Sequence, residues 1–119
     1  MSRWVGLLIE GPDMMTTVDW TGSSGTKYTM DVFRLGSAVP SYAGVYVLCR
    51  KGEHGWQRYY VGEAENIQTR LSESRHPGRD CALHHGASFV ATTSIAGGKD
   101  ARLDVEHDLV AAFGPSCNE

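Results

Sequence analysis

The chain has no excess of positive charge, no paired cysteine motif and no apolar run approaching the ~20 residues of a membrane span. Its net charge is −3 over 119 residues, whereas a protein whose affinity rests on phosphate contacts is usually basic. That balance counts against tight non-specific DNA binding, so any nucleic-acid contact must come from a local patch. Arg50, Lys51, Arg58, Arg70, Arg75, Arg79 and Lys99 could supply one. Three widely spaced cysteines, Cys49, Cys81 and Cys117, read as reduced, partly buried thiols in a reducing compartment. Cys81-x-x-His84 with Cys117 could be drawn as a metal site, but the paired Cys-x-x-Cys spacing of structural zinc sites is missing. Repeats and low-complexity tracts are also absent. The segment Met1–Glu10 has one basic residue and too short an apolar stretch for a signal peptide. It reads as a first strand over 3–10, and the protein as cytoplasmic.

What the chain does have is a pair of tripeptides, Gly44-Val45-Tyr46 and Tyr60-Val61-Gly62. Each sets a tyrosine beside a glycine in an apolar, strand-like run. The spacing predicts two antiparallel strands, 43–50 and 57–61, joined by the polar connection 51–56. Alternation along the second strand sends Tyr59 to the face opposite Tyr60. Upstream, strands are expected over 14–20 and 27–35, split by Thr21-Gly-Ser-Ser-Gly25. Downstream, Asn66 is a plausible cap for a helix carrying Ile67, Arg70 and Leu71, fading by Ser74 before Pro77-Gly78. A short helical turn over 80–85, a β-branched strand over 87–95 and a helix from about 100 to 113 complete the chain. Gly114-Pro115 stops that helix.

These elements predict one α+β domain over 1–119, with a small central antiparallel or mixed sheet flanked by helices. Residues 1–40 would be an added N-terminal hairpin or meander and 43–118 the core.

The last helix carries the strongest chemical signal. Leu103, Val105, Leu109, Val110 and Phe113 spread over one apolar arc at about 100° per residue. Glu106 falls near the middle of that arc, while Asp104, His107 and Asp108 fall on the solvated side. A carboxylate facing inward is costly unless it is paired or holds a cation. A structural ion pair with an arginine explains it as well as a cation site does. Tyr46, Tyr60 and Arg70, each taken alone, are more often packing or surface residues.

Taken in order, Gly44-Val45-Tyr46, Tyr60-Val61-Gly62, Arg70, Glu106 and Asn118 resemble the GIY-YIG endonuclease superfamily. The spacing is similar to that of the N-terminal nuclease domain in the bacterial excision-repair branch. The run from Arg102 to Asn118 is similar to stand-alone bacterial members. The resemblance covers residues 43–118 and implies a phosphodiesterase using one Mg2+ or Mn2+. It implies that Tyr46 is the general base or positions the water, its phenolate favoured by a nearby cation or basic group. Tyr60 and Arg70 would grip the scissile phosphate, and Glu106 would hold the metal. Asn118 would fix Glu106 or the local backbone. Relatives of the excision-repair branch commonly place a lysine after the second motif; here that position is Glu63. Many relatives also carry a histidine or tyrosine near the first helix. His76 and His84 are the candidates for contacting substrate, and His85 is the third histidine nearby. The implied partner is nucleic acid, DNA in preference to RNA, with no membrane. The alternatives are a silent module of the same fold that binds nucleic acid or protein, and a subunit whose N-terminal strands pair with another chain.

Overall fold

The computed structural model describes residues 11–118; the strand expected over 3–10 lies outside them. Among the described residues five strands form a single sheet: β1 (Thr16–Thr21), β2 (Lys27–Arg34), β3 (Gly44–Gly52), β4 (Gly55–Ala64) and β5 (Phe89–Ser94). Their order is β1-β2-β5-β3-β4, and every neighbouring pair is antiparallel. With the three helices among the described residues, α1 (Ile67–Ser72), α2 (Pro77–His84) and α3 (Gly98–Phe113), this is an α+β architecture. The first hairpin continues the sheet, because β2 pairs directly with β5.

The inner strand β3 reads as a continuous apolar run because both of its faces are covered. Gly44 through Cys49 is buried without interruption. Val45, Val47, Cys49, Val61, Met30, Val32 and Ala91 pack on the side that meets Leu109 of α3. Tyr46, Leu48, Phe33 and Val90 pack on the side that meets Ile67 of α1 and Ala82 of α2. The β3–β4 hairpin is longer and its turn tighter than the expected 51–56 connection. Gly52 pairs with Gly55 and Lys51 with Trp56, the lysine lying 5.1 Å from the indole centroid. Gly55 takes the turn at φ 118, which a side chain would resist.

The alternation expected along β4 fails at one residue. Leu48 pairs with Tyr60 and Cys49 with Arg58, so Tyr59 is left over as a bulge. Tyr59 therefore packs on the same cluster as Tyr60, not on the opposite face. A period-2 reading cannot register an inserted residue.

Pro77 begins α2 instead of only ending what precedes it, so this helix is longer than the turn expected over 80–85. Proline suits a first helical position, where its missing N–H has no partner to lose. The cap is His76, whose Nδ1 accepts the N–H of Arg79 at 3.0 Å. Asn66 caps α1 as its sequence suggests, accepting from the N–H of Thr69 at 2.9 Å. Arg79 closes the other end of α1, donating from Nη1 to the carbonyls of Leu71 at 2.8 Å and Glu73 at 2.6 Å.

On α3, Asp108 keeps to the outward, partly exposed side but is hydrogen-bonded there. Its carboxylate accepts from the Ser24 N–H, the Ser24 hydroxyl and the Tyr28 hydroxyl, each at 2.7 Å. This pins the β1–β2 turn to the helix. A second correction concerns sulfur. Cys81 of α2 and Cys117 of the tail are joined by a disulfide, and only Cys49, which is buried, is free. The tail then runs along the outer edge of β4, where the Cys117 N–H donates to the Tyr59 carbonyl at 2.9 Å. Among the described residues, no helix is long and apolar enough to cross a membrane.

Gly44 lies between β4 and β5 with the Thr93 carbonyl where its Cβ would be. Gly44→Ala is expected to cost about 3 kcal/mol in urea unfolding, since the obstacle is backbone and cannot swing aside. Gly11→Ala, with open space around the position, should shift stability by less than ~0.5 kcal/mol. Equal small losses in both would show that the packing around Gly44 is not tight.

Candidate functional site

The glycines of the two tripeptides make room for the tyrosines. Tyr46 stands directly opposite Gly62 across the hairpin. A Cβ at Gly62 would sit 2.5 Å from the Tyr46 Cζ and hydroxyl and 2.8 Å from the Tyr60 ring. Gly78, in the first turn of α2, does the same on the other flank of Tyr60. The two phenol rings lie 6.1 Å apart, with the His76 ring 6.1 Å from Tyr46 and 5.5 Å from Tyr60. Three rings thus form one wall, two supplied by the hairpin and one by the cap of α2.

His76 is fully buried, and its Nε2 lies 2.7 Å from the Tyr46 hydroxyl. Because Nδ1 accepts the Arg79 N–H, the neutral ring carries its proton on Nε2 and donates it to Tyr46. The Tyr46 proton is then free to point away from His76. Burial, followed by the positive charges of Arg70 and Arg79, depresses the His76 pKa from 6.5 to about 4. The ring is therefore neutral at physiological pH.

Tyr46 itself is pushed well above the ordinary phenol value. Burial is the main cause, reinforced by Tyr60, Glu106 and Glu63 and opposed by Arg70. The expected cationic assistance is present as Arg70, but burial and two carboxylates outweigh it. Tyr46 is a neutral phenol in the chain as it stands. Tyr60 is raised as well, first by burial and then by Glu106.

Arg70 is on the last turn of α1, partly exposed, and its Nη1 pairs with Glu73. Its charge acts on Tyr46, Tyr60 and His76. Glu106 comes from α3, the helix on the other side of β4, and its charge also acts on both phenols. Among the described residues no arginine pairs with it; the basic side-chain atom within reach is His107 Nε2, at 4.0 Å. Burial and then Glu63 raise its pKa. Glu63, the residue after Gly62, is held by Arg102 at 2.9 Å, both side chains being largely buried. A polar cleft of about 650 Å3 beside this pair is lined by Glu63, Arg70, Arg102, Lys99 and Asn66 among others.

Asn118 does not touch Glu106. Its side chain brackets Val61, accepting the N–H at 2.7 Å and donating to the carbonyl at 2.7 Å. It therefore holds the strand that carries Tyr60. His84 is not brought to the site: it is exposed at the far end of α2, edge-on to His85. Nor do all the basic residues form one patch. Arg58 lies over Phe113 at 4.1 Å and Trp20 at 5.6 Å, and Arg79 is spent on closing α1.

The donor set for Mg2+ or Mn2+ is thin but chemically suitable. Glu106 is a half-buried carboxylate with a like-charged neighbour, an arrangement that a hard cation relieves. Among the described residues, no group of three ligating side chains gathers around it. Sequence reasoning left His76 level with His84 and His85 because the distinction lies in which ring caps α2. Arg102 gave no signal beyond its place on α3. No family model matches the chain, and no curated protein or solved structure shows significant similarity to it.

A neutral buried His76 makes stability depend on pH. The unfolded histidine binds a proton near 6.5 and the folded one only near 4. Its contribution is therefore complete above pH 6.5 and is lost as pH falls towards 4. The wild type should lose about 2–3 kcal/mol more across that window than His76→Asn, measured by urea unfolding. Parallel pH profiles would contradict the buried neutral ring.

Proposed function

We propose that this chain is a divalent-cation-dependent endonuclease of the GIY-YIG type, hydrolysing phosphodiester bonds of nucleic acid, DNA in preference to RNA, in the cytoplasm. The observation that carries the reading is the wall of Tyr46, Tyr60 and His76, with Arg70 and Glu106 acting electrostatically on both phenols. Packing explains two facing tyrosines. It does not explain a half-buried carboxylate that, among the described residues, has no arginine or lysine paired with it.

In this reading Arg70 leaves Glu73 and takes the scissile phosphate through two parallel N–H bonds. Tyr60 donates its hydroxyl hydrogen to a non-bridging phosphate oxygen. Once Tyr46 has given its own proton to solvent, the Nε2–H of His76 stabilises the phenolate oxygen, which orients the attacking water and takes its proton, returning Tyr46 to the neutral phenol. Glu106 would hold Mg2+ or Mn2+, which when bound supplies positive charge against the developing phosphorane and against the neighbouring carboxylates. With one protein carboxylate available, the phosphate itself would complete the ligand set. Glu63 is no obstacle to an anion, because Arg102 neutralises it. Asn118 acts through the backbone of Val61 as a positioning residue.

One observation favours a second reading, a module that binds nucleic acid or protein without cleaving. Tyr46 is held in its neutral form, which is the wrong state for a base.

Plasmid DNA and RNA cleavage with Mg2+ or Mn2+ separates the two readings. Wild type should cleave, while Glu106→Ala and Tyr46→Phe should each lose at least about a hundredfold in rate. Equal residual rates in all three proteins would mean a contaminant and would leave only the binding reading.

A further inference from the structure

We propose that Cys81, His85 and Cys117 form a redox-convertible site for one thiophilic cation, Zn2+ being the natural occupant. The disulfide is its closed form and the reduced dithiol its metal-binding form. This site is independent of the proposed nuclease centre. It lies at the C-terminal end of α2, whereas His76 caps the other end of that helix.

The three ligand atoms are already gathered. They all lie within 4.8 Å of one another, with His85 Nδ1 3.9 Å from Cys81 Sγ and 3.8 Å from Cys117 Sγ. A tetrahedral zinc site with ordinary bond lengths has sulfur-to-nitrogen edges of about 3.6 Å and a sulfur-to-sulfur edge of about 3.8 Å. Two of the three edges are therefore nearly in place. Once the sulfur–sulfur bond is cleaved, the third requires only that the two thiolates part.

The surroundings support the ligands. The Tyr59 ring lies over His85 at 5.4 Å with a 31° tilt, and the Tyr59 carbonyl anchors the backbone of Cys117. One bulged residue thus positions two of the three ligands. His85 Nδ1 is also 2.9 Å from the Cys81 carbonyl. It donates there in the closed form, and in the open form its proton moves to Nε2 so that Nδ1 is free to ligate. Cys81 and Cys117 are partly exposed and His85 is exposed, leaving room for water as a fourth ligand. Two sulfurs and an imidazole select a soft or borderline cation over Mg2+.

The chemistry balances with a cellular dithiol as reductant. Its thiolate attacks one protein sulfur, its second thiol resolves the mixed disulfide, and the reductant leaves as a disulfide while Cys81 and Cys117 become thiols. Binding Zn2+ then releases the two thiol protons. In either state the tail carrying Asn118 stays tied to α2, so the clamp on Val61 survives a change of redox conditions.

The test uses the full chain, reduced by a dithiol that is then removed without air, and titrated with Co2+ as a spectroscopic probe. One equivalent should produce tetrahedral visible bands and thiolate-to-cobalt charge transfer, both abolished by added Zn2+. The oxidised chain and the Cys81→Ser, Cys117→Ser double variant should give neither signal. His85→Ala should weaken binding at least about tenfold, and His84→Ala should leave it unchanged. Co2+ bands without thiolate charge transfer, or equal affinity in His85→Ala, would overturn the assignment. A reduced chain that unfolds and does not recover its fold with Zn2+ would overturn it equally, because the site requires α2 and the tail to stay side by side.

Discussion

Tyr46 can occupy its place only because the residue across the hairpin is glycine. Its ring covers Gly62, its hydroxyl meets His76, and its neighbour Tyr60 is wedged between Gly62 and Gly78. Everything else in the candidate site follows from that packing. Burial keeps the phenol neutral, and the cap of α2 keeps the His76 ring neutral, because its Nδ1 must accept the Arg79 N–H while its Nε2–H donates to Tyr46. A side chain at Gly62 would displace all three rings together.

The β4 edge is where the two faces of the sheet communicate. Tyr60 belongs to the face covered by α1 and α2, and Glu106 and Arg102 to the helix on the other face. An edge strand normally exposes unpaired N–H and C=O groups. Here the tail covers part of that edge, with Cys117 on Tyr59 and Asn118 on Val61. The same contacts that protect the edge set the position of the strand carrying Tyr60. Arg102 adds a local charge balance, since a largely buried Glu63 would be costly without it.

Much of this was legible in the sequence, for definable reasons. The strands expected over 43–50, 57–61 and 87–95 correspond to β3, the inner part of β4 and β5, and α3 is legible through its period and its Gly114 stop. Glu106 was found by helical phase alone. Asp108, two residues further on, falls on the outward side as that phase predicts, but its hydrogen bonds reach a distant turn that no period reveals. The Tyr59 bulge escaped because alternation has no way to mark an inserted residue. The Cys81–Cys117 pairing escaped because its 36-residue separation is closed by the tail folding back along β4. His76 differs from His84 and His85 only through the helix that Pro77 opens, which makes it the cap.

The central claim is that Glu106 and the two phenols belong to one electrostatic unit, although they come from elements on opposite faces of the sheet. Carbon-13 NMR titration of labelled tyrosine Cζ in wild type and Glu106→Gln tests this most directly, with Tyr46→Phe and Tyr60→Phe giving the assignments. Removing the charge of Glu106 should move the Tyr60 ionisation to lower pH while leaving Tyr28 in place, and Tyr46 should remain a phenol where ordinary tyrosines, near pH 10, have ionised. An unchanged Tyr60 titration in Glu106→Gln, or Tyr46 ionising at the ordinary value, would contradict it.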